Sequence, residues 1–181
     1  MGQNNRSLPL IRVTHSQNRT PTGRRTATPA RHAARYFAFG RDREAELAGR
    51  QRGEWMGPEG RVHDHENVLA WAALQAMAHR YTFQALLSVP EGRLAPADYA
   101  RALEAAGDEQ LGSWRLMAHD DTDYSHAHVL FFGDRRLPKE EYLAWRERVQ
   151  EELALMESAR LDGAALEADM EVAAGAGMGL E

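Results

Sequence analysis

Apolar positions recur with two periods along the chain, and the alternation between them predicts the elements. "HDHENVLAWAALQAMAHR" (63–80) carries Val68, Trp71, Leu74 and Met77 at helical spacing behind Asp64, which is suited to an N-cap. "YTFQALLSV" (81–89) alternates and is rich in aromatic residues and leucine, so a strand is expected. "PADYARALEAAG" predicts a helix that opens on Pro96 and closes at Gly107. "SWRLMAH" (113–119) and "HAHVLFF" (126–132) predict two strands joined by a short acidic turn. "KEEYLAWRERVQEELALME" (139–157) predicts the longest helix, with Tyr142, Trp145, Val149, Leu153 and Met156 on one face.

The N-terminal part is less regular. Residues 1–30 mix Asn, Ser, Thr, Pro, Gly and Arg without a period and predict a disordered arm, within which "LPLIRV" (8–13) is a candidate edge strand. "RYFAF" (35–39) predicts a strand, and "RDREAELAGRQRGEW" a short helix broken by glycines. From 161 to 181 the chain turns to Ala, Gly and acid, predicting a tail that extends the last helix weakly. These elements predict an α+β domain over 31–160, an antiparallel sheet with helices packed on it.

Composition narrows the chemistry. With no cysteine among its 181 residues, the chain has no disulfide, no thiolate metal ligand and no cysteine nucleophile. No apolar run approaches a membrane span, and the N-terminus does not read as a secretory signal, so a cytoplasmic location is expected. The net charge of −5 conceals an asymmetry: residues 1–61 hold twelve arginines against five acids, whereas 151–181 hold eight acids against one arginine. A basic head suits an anionic partner such as nucleic acid, and suits equally a solvated arm in an arginine-rich chain.

The stretch that carries chemistry is "HDDTDYSHAHVLFF" (119–132). His126 and His128, at i and i+2 on a strand, share a face about 6.6 Å apart. Pairing back through the turn would set His119 beside them. Three neutral imidazoles can hold a divalent ion while leaving positions for substrate and water. Asp121 and Asp123 lie near enough in sequence to accept a histidine N–H from behind. His63-Asp64-His65 looks similar but sits at a helix start, where i and i+2 do not align.

His119, Asp121, Thr122, His126, Ala127 and His128 resemble the metal motif of the relaxase/mobilisation nucleases of the HUH endonuclease superfamily, in which a His-x-Asp-Thr turn leads into a His-hydrophobic-His strand. The resemblance extends in element order over 35–155. It implies a nuclease that nicks and rejoins single-stranded DNA at a transfer origin through a phosphotyrosine, for plasmid or mobile-element transfer. It also implies a Mg or Mn ion on His119, His126 and His128, and accessory mobilisation proteins as partners. The nucleophile would be Tyr36, which precedes the histidines as in relaxases. The alternative is Tyr142, placed after them as in replication initiators, though Tyr142 also fits an apolar helix stripe. Arg35 and Arg115 are candidate DNA ligands, Arg115 because it shares strand parity with His119. Two other functions remain open: a non-cleaving nucleic-acid-binding module of the same fold, and a metal-dependent hydrolase unrelated to DNA.

Overall fold

The computed structural model describes residues 7–107, 111–119 and 124–176, with side chains as far as residue 168. Its elements run β1 (Leu10–Gln17), α1 (Thr28–Phe39), α2 (Arg43–Leu47), β2 (Trp55–Met56), β3 (Val62–His63), α3 (His65–Ala78), β4 (Tyr81–Ser88), α4 (Pro96–Ala105), β5 (Trp114–His119), β6 (His126–Gly133) and α5 (Lys139–Ala176). The six strands form one antiparallel sheet in the order β1-β4-β6-β5-β2-β3. The expected α+β class, a sheet with helices packed on it, is what the chain adopts.

Alternation along the central strands assigns the two faces of the sheet. Phe83, Ala85 and Leu87 of β4, Val129 and Phe131 of β6, and Trp114 and Leu116 of β5 are buried against α4 and α5. The in-between positions Met117, Leu130 and Phe132 are buried on the other face, against α1 and α3. Trp145, Val149 and Leu153 of α5 are fully buried, so the predicted stripe on this helix is the one that packs. Asp64 caps α3, its side chain accepting from the Asn67 N–H at 2.9 Å.

Three expectations are corrected. First, residues 35–39 are helical, not a strand. Pro29 sits in the first turn, and Ala30, Ala33, Ala34, Phe37 and Ala38 are buried at i, i+3, i+4, i+7 and i+8. That alanine-based stripe outweighs the β preference of Tyr36, Phe37 and Phe39. Second, the segment 1–30 is not an unstructured arm over its described part. β1 pairs along its whole length with β4, and Ile11 enters the core. Buried Asn18 closes the strand by donating to the His79 carbonyl and accepting from the Thr82 hydroxyl. Third, the packed face of α3 is His65, Val68, Ala72 and Ala76, while Leu74 and Met77 are exposed. Small residues face the sheet because α3 must also clear α1.

Among the described residues no helix is long and apolar enough to cross a membrane.

Two outcomes follow from this packing. Ile11→Ala should lower stability by about 2–5 kcal/mol in chemical denaturation, as for a core aliphatic, whereas an arm residue would show almost no change. His65 supplies a pH dependence. Its Nδ1 accepts from the Trp55 indole N–H at 3.1 Å, and burial holds its pKa below the ordinary 6.5. The folded state therefore favours neutral His65. Its contribution is complete above 6.5 and is lost as pH falls through the depressed folded value. His63, depressed by burial and then by Arg115, acts with the same sign. Denaturation midpoints should fall on acidification in that window, and His65→Gln, which keeps an acceptor for Trp55, should flatten the slope.

Candidate metal centre

The β5–β6 pairing builds the centre. His119 lies directly opposite His126, and Met117 opposite His128. Partners across an antiparallel pair point to the same face, so all three imidazoles stand on the α1 side of the sheet. Their ring centroids are 5.0–5.5 Å apart. One candidate ligand nitrogen from each lies within 4.8 Å of the other two. His119 is buried; His126 and His128 are half-buried.

Ser125 fixes where β6 begins. Its carbonyl accepts from the Val89 N–H, and its hydroxyl meets the Leu94 N–H and, at 2.9 Å, the Tyr99 hydroxyl. Burial raises the Tyr99 pKa, so this phenol stays protonated and can donate. With Ser125 held from beneath, the register that sets His126 opposite His119 cannot drift.

The C-terminal end of α1 closes the centre from above. The last carbonyls of a helix have no intrahelical partner. Here the Tyr36 carbonyl takes the Gly40 N–H, the Ala38 carbonyl takes the Arg52 N–H, and the Phe37 carbonyl meets His119 Nε2 at 2.8 Å. The Phe37 ring also stacks on His128, with centroids 4.5 Å apart and planes at 21°. One residue thus orients two imidazoles.

These contacts decide which nitrogens face inward. A carbonyl only accepts, so His119 Nε2 carries its hydrogen and neutral His119 has its lone pair on Nδ1. His126 Nδ1 meets the Tyr124 carbonyl at 3.2 Å, which leaves the His126 lone pair on Nε2. Those two nitrogens face each other at 3.2 Å. Two lone pairs repel at that distance unless a proton or a metal ion lies between them. Two nitrogens each about 2.1 Å from one ion stand about 3–3.5 Å apart. Outer N–H groups bonded to backbone carbonyls are also the usual support of ligating histidines. The negative end of the α1 dipole points at the same place and favours a cation. The cluster could therefore hold a metal ion, and the donor set fits one.

The other predicted residues are placed as follows. Tyr36, on α1, lies over the cluster, its ring 6.1 Å from that of His128 and 44% exposed. Tyr142 is on the opposite face of the sheet, packed with the α5 core, and its hydroxyl donates to the Ile11 carbonyl at 3.3 Å. It is not brought to the histidines. Arg35 turns away from them and pairs with Glu46 at 3.4 Å. Arg115 shares the sheet face of His119 but sits four residues along β5, roughly 13 Å away. Its guanidinium lies 4.7 Å from the Trp71 ring centre and donates to the Trp114 carbonyl. Asp121, Thr122 and Asp123 lie outside the described residues. His65 serves the core through Trp55.

Sequence reasoning offers Phe37 only as a base-stacking aromatic, with Tyr36 and Phe39, and misses both its contact with the histidines and the role of Ser125. The signal for Phe37 was its place in an alanine stripe, hidden while 35–39 read as a strand. Nothing local to Ser125 marks it.

No protein-family model matches the chain, and no curated protein matches it. Among solved structures, ginseng major latex-like protein 151 from Panax ginseng aligns over 83% of this chain and 99% of that chain, at 9% identity and a TM-score of 0.18. That score is too low to carry a structural argument.

The three histidines should bind one divalent ion in calorimetry. His126→Ala should weaken binding about 100-fold or more, while His63→Ala leaves it unchanged. Affinity should fall as pH drops through the histidine range, because the ligands must be neutral. Equal affinity in the wild type and the triple alanine variant would exclude the site.

Proposed function

We propose that the protein is a metal-dependent, relaxase-like endonuclease that nicks and rejoins single-stranded DNA in plasmid or mobile-element transfer. The observation that carries this reading is the convergence of Tyr36, from α1, on the His119–His126–His128 cluster of the β5–β6 hairpin. Helix and hairpin come from distant parts of the sequence, yet they place a half-exposed phenol against a three-imidazole centre. The resemblance of residues 119–128 to the relaxase motif points the same way.

In this reading the Tyr36 oxygen attacks a backbone phosphorus. A Tyr36 O–P bond forms, the 3′-oxygen departs as a hydroxyl, and the 5′ end stays on the protein as a phosphotyrosine. Because the ester energy is retained, a 3′-hydroxyl can later reverse the step and rejoin the strand. A bound ion would polarise the phosphate and offset its developing charge. Of Mg and Mn, three imidazoles suit Mn better, because Mg demands oxygen ligands and gives up water reluctantly, although imidazole suits Zn, Fe or Ni better still. Phe37 fixes His119 and His128, and Ser125 fixes the strand that bears His126. Tyr142, bonded to Ile11 across the sheet, is not the nucleophile. The reading carries with it a cytoplasmic location, a transfer-origin strand as substrate and accessory mobilisation proteins as partners.

The test is adduct formation on labelled single-stranded DNA with Mn, followed on a denaturing gel. Tyr36→Phe keeps the ring and removes the hydroxyl. It should abolish the adduct, a loss of about 100-fold or more, while DNA affinity stays within about twofold. An adduct with Tyr36→Phe would refute the assignment of the nucleophile. Binding without any adduct in the wild type would favour the non-cleaving module.

A further inference from the structure

Basic side chains from β3, from the turn before it and from β5 meet at the β3 edge of the sheet. Trp55 pairs with Met117 on one side and His63 on the other, and Met56 with Leu116 and Val62. One step further along, Gly57 follows between Arg115 and Arg61, its N–H donating to the Arg61 carbonyl at 2.8 Å. Positions two apart on a strand, and partners across a ladder, share a face. Arg61, His63 and Arg115 therefore stand on the Met117 side of the sheet. Gly57 leaves the space in which they meet. A Cβ there would lie 2.9 Å from His63 Nε2 and 3.1 Å from Arg115 Nη1. Those two nitrogens are thus no more than about 6 Å apart, close enough for one oxyanion to bridge them.

Arg115 is held in place but not neutralised. Its guanidinium lies 4.7 Å from the Trp71 ring centre, and the Trp71 indole N–H donates to the Ser113 hydroxyl at 3.2 Å. Arg115 Nη1 donates to the Trp114 carbonyl at 2.7 Å, while Nε is buried without an acceptor. Among the described residues no ion pair reaches Arg115 or Arg61. The nearest carboxylates are engaged otherwise. Asp64 accepts from the backbone and side chain of Asn67, and Glu104 accepts the Glu59 N–H. Burial and then the charge of Arg61 lower the Arg115 pKa. Burial, then Arg115, then Arg61 lower that of His63, against a smaller opposing pull from Asp64. A half-buried guanidinium crowded by a second one carries a cost that a bound anion would offset.

We propose that Arg115, Arg61 and His63 form a binding site for a phosphate monoester dianion. Two guanidiniums match two negative charges, which a monoester carries near neutral pH and a diester or a carboxylate does not. The planar Arg115 fork suits two phosphate oxygens, and His63 Nε2 reaches a third contact across Gly57. Arg115 stands roughly 13 Å from His119 along β5, so the site is separate from the metal centre and does not rest on the DNA reading. A small phosphorylated molecule and the 5′-phosphate end of a strand present the same group, and the experiment separates them.

The experiment is titration calorimetry of the full chain with inorganic phosphate, in a chloride-based buffer with EDTA so that no metal ion on the histidines can take the anion. Arg61→Ala and Arg115→Gln should each weaken binding by about tenfold or more. Arg135→Ala, whose guanidinium pairs with Glu141, should leave it unchanged. Arg61 is exposed, so Arg61→Ala decides the matter even if Arg115→Gln loses its circular dichroism signature. Diethyl phosphate, a singly charged diester, should bind more weakly than inorganic phosphate, and equal affinity for the two would overturn the choice of a dianion. A 5′-phosphorylated oligonucleotide that binds more tightly than its 5′-hydroxyl twin, and loses that advantage in Arg61→Ala, identifies a strand end as the source. Equal binding of the two oligonucleotides identifies a small phosphorylated molecule. A wild type that does not bind inorganic phosphate, or folded variants that bind it as the wild type does, would overturn the site.

Discussion

The hydrogen bond from His119 Nε2 to the Phe37 carbonyl ties the site together. It joins the end of α1 to the last residue of β5, 82 positions apart in sequence, and does two things at once. It satisfies a helix-terminal carbonyl that would otherwise be buried without a donor. It also fixes the tautomer of His119, so the lone pair points toward His126 rather than toward the helix. Without α1 in this place His119 would have no reason to hold that orientation, and Tyr36 would not reach His128. The centre is a property of the docked helix as much as of the hairpin.

A second constraint follows from the first. Neutral His119 and His126, each with its outer N–H on a backbone carbonyl, are left with inner lone pairs 3.2 Å apart. The rest of the fold is built to keep that arrangement. Ser125 is bonded to Tyr99 and Leu94 and so cannot release the start of β6, and Phe37 stacks on His128 from the other side. A proton or a metal ion between these nitrogens relieves the repulsion, and the cluster could hold such an ion. Orientation of the nitrogens, and not only the proximity of three histidines, suits the cluster to a cation.

Much of this was legible in the sequence. The His-x-His strand, the hairpin that returns His119 to it, the α+β class and the packed stripe of α5 all follow from periods of two and of about three and a half. The failures share a cause. Residues 35–39 were read by β propensity, yet the burying residues are the alanines at 30, 33, 34 and 38, whose small size gives them little weight in a hydrophobic pattern. The same blindness hid Ala72 and Ala76 on α3 and promoted Leu74 and Met77. Residues 1–30 read as an arm because they lack a period, yet the edge strand expected at 8–13 is there and runs on to Gln17; an edge strand needs only one buried face, and Ile11 is buried while Val13 packs partly against the core. Arg115 was placed by parity alone, which gives the face of a sheet and not the position along it.

The two faces of the sheet divide the work. Against α4 and α5 the strands present Phe83, Leu87, Trp114, Leu116, Val129 and Phe131, an apolar layer that excludes water and sets the register. On the α1 side Met117, Leu130 and Phe132 form the apolar layer, Met117 lies directly opposite His128, and the histidines follow at the end of the β5–β6 ladder beneath the end of α1. Along β6 the same strand changes from core to site in a single two-residue step. Packing in the first half holds the strands that carry the imidazoles. The same division separates Tyr36, beside His128, from Tyr142, packed with the α5 core. Both are tyrosines on helices over the sheet, but only α1 covers the face on which the packed layer ends and the histidines begin.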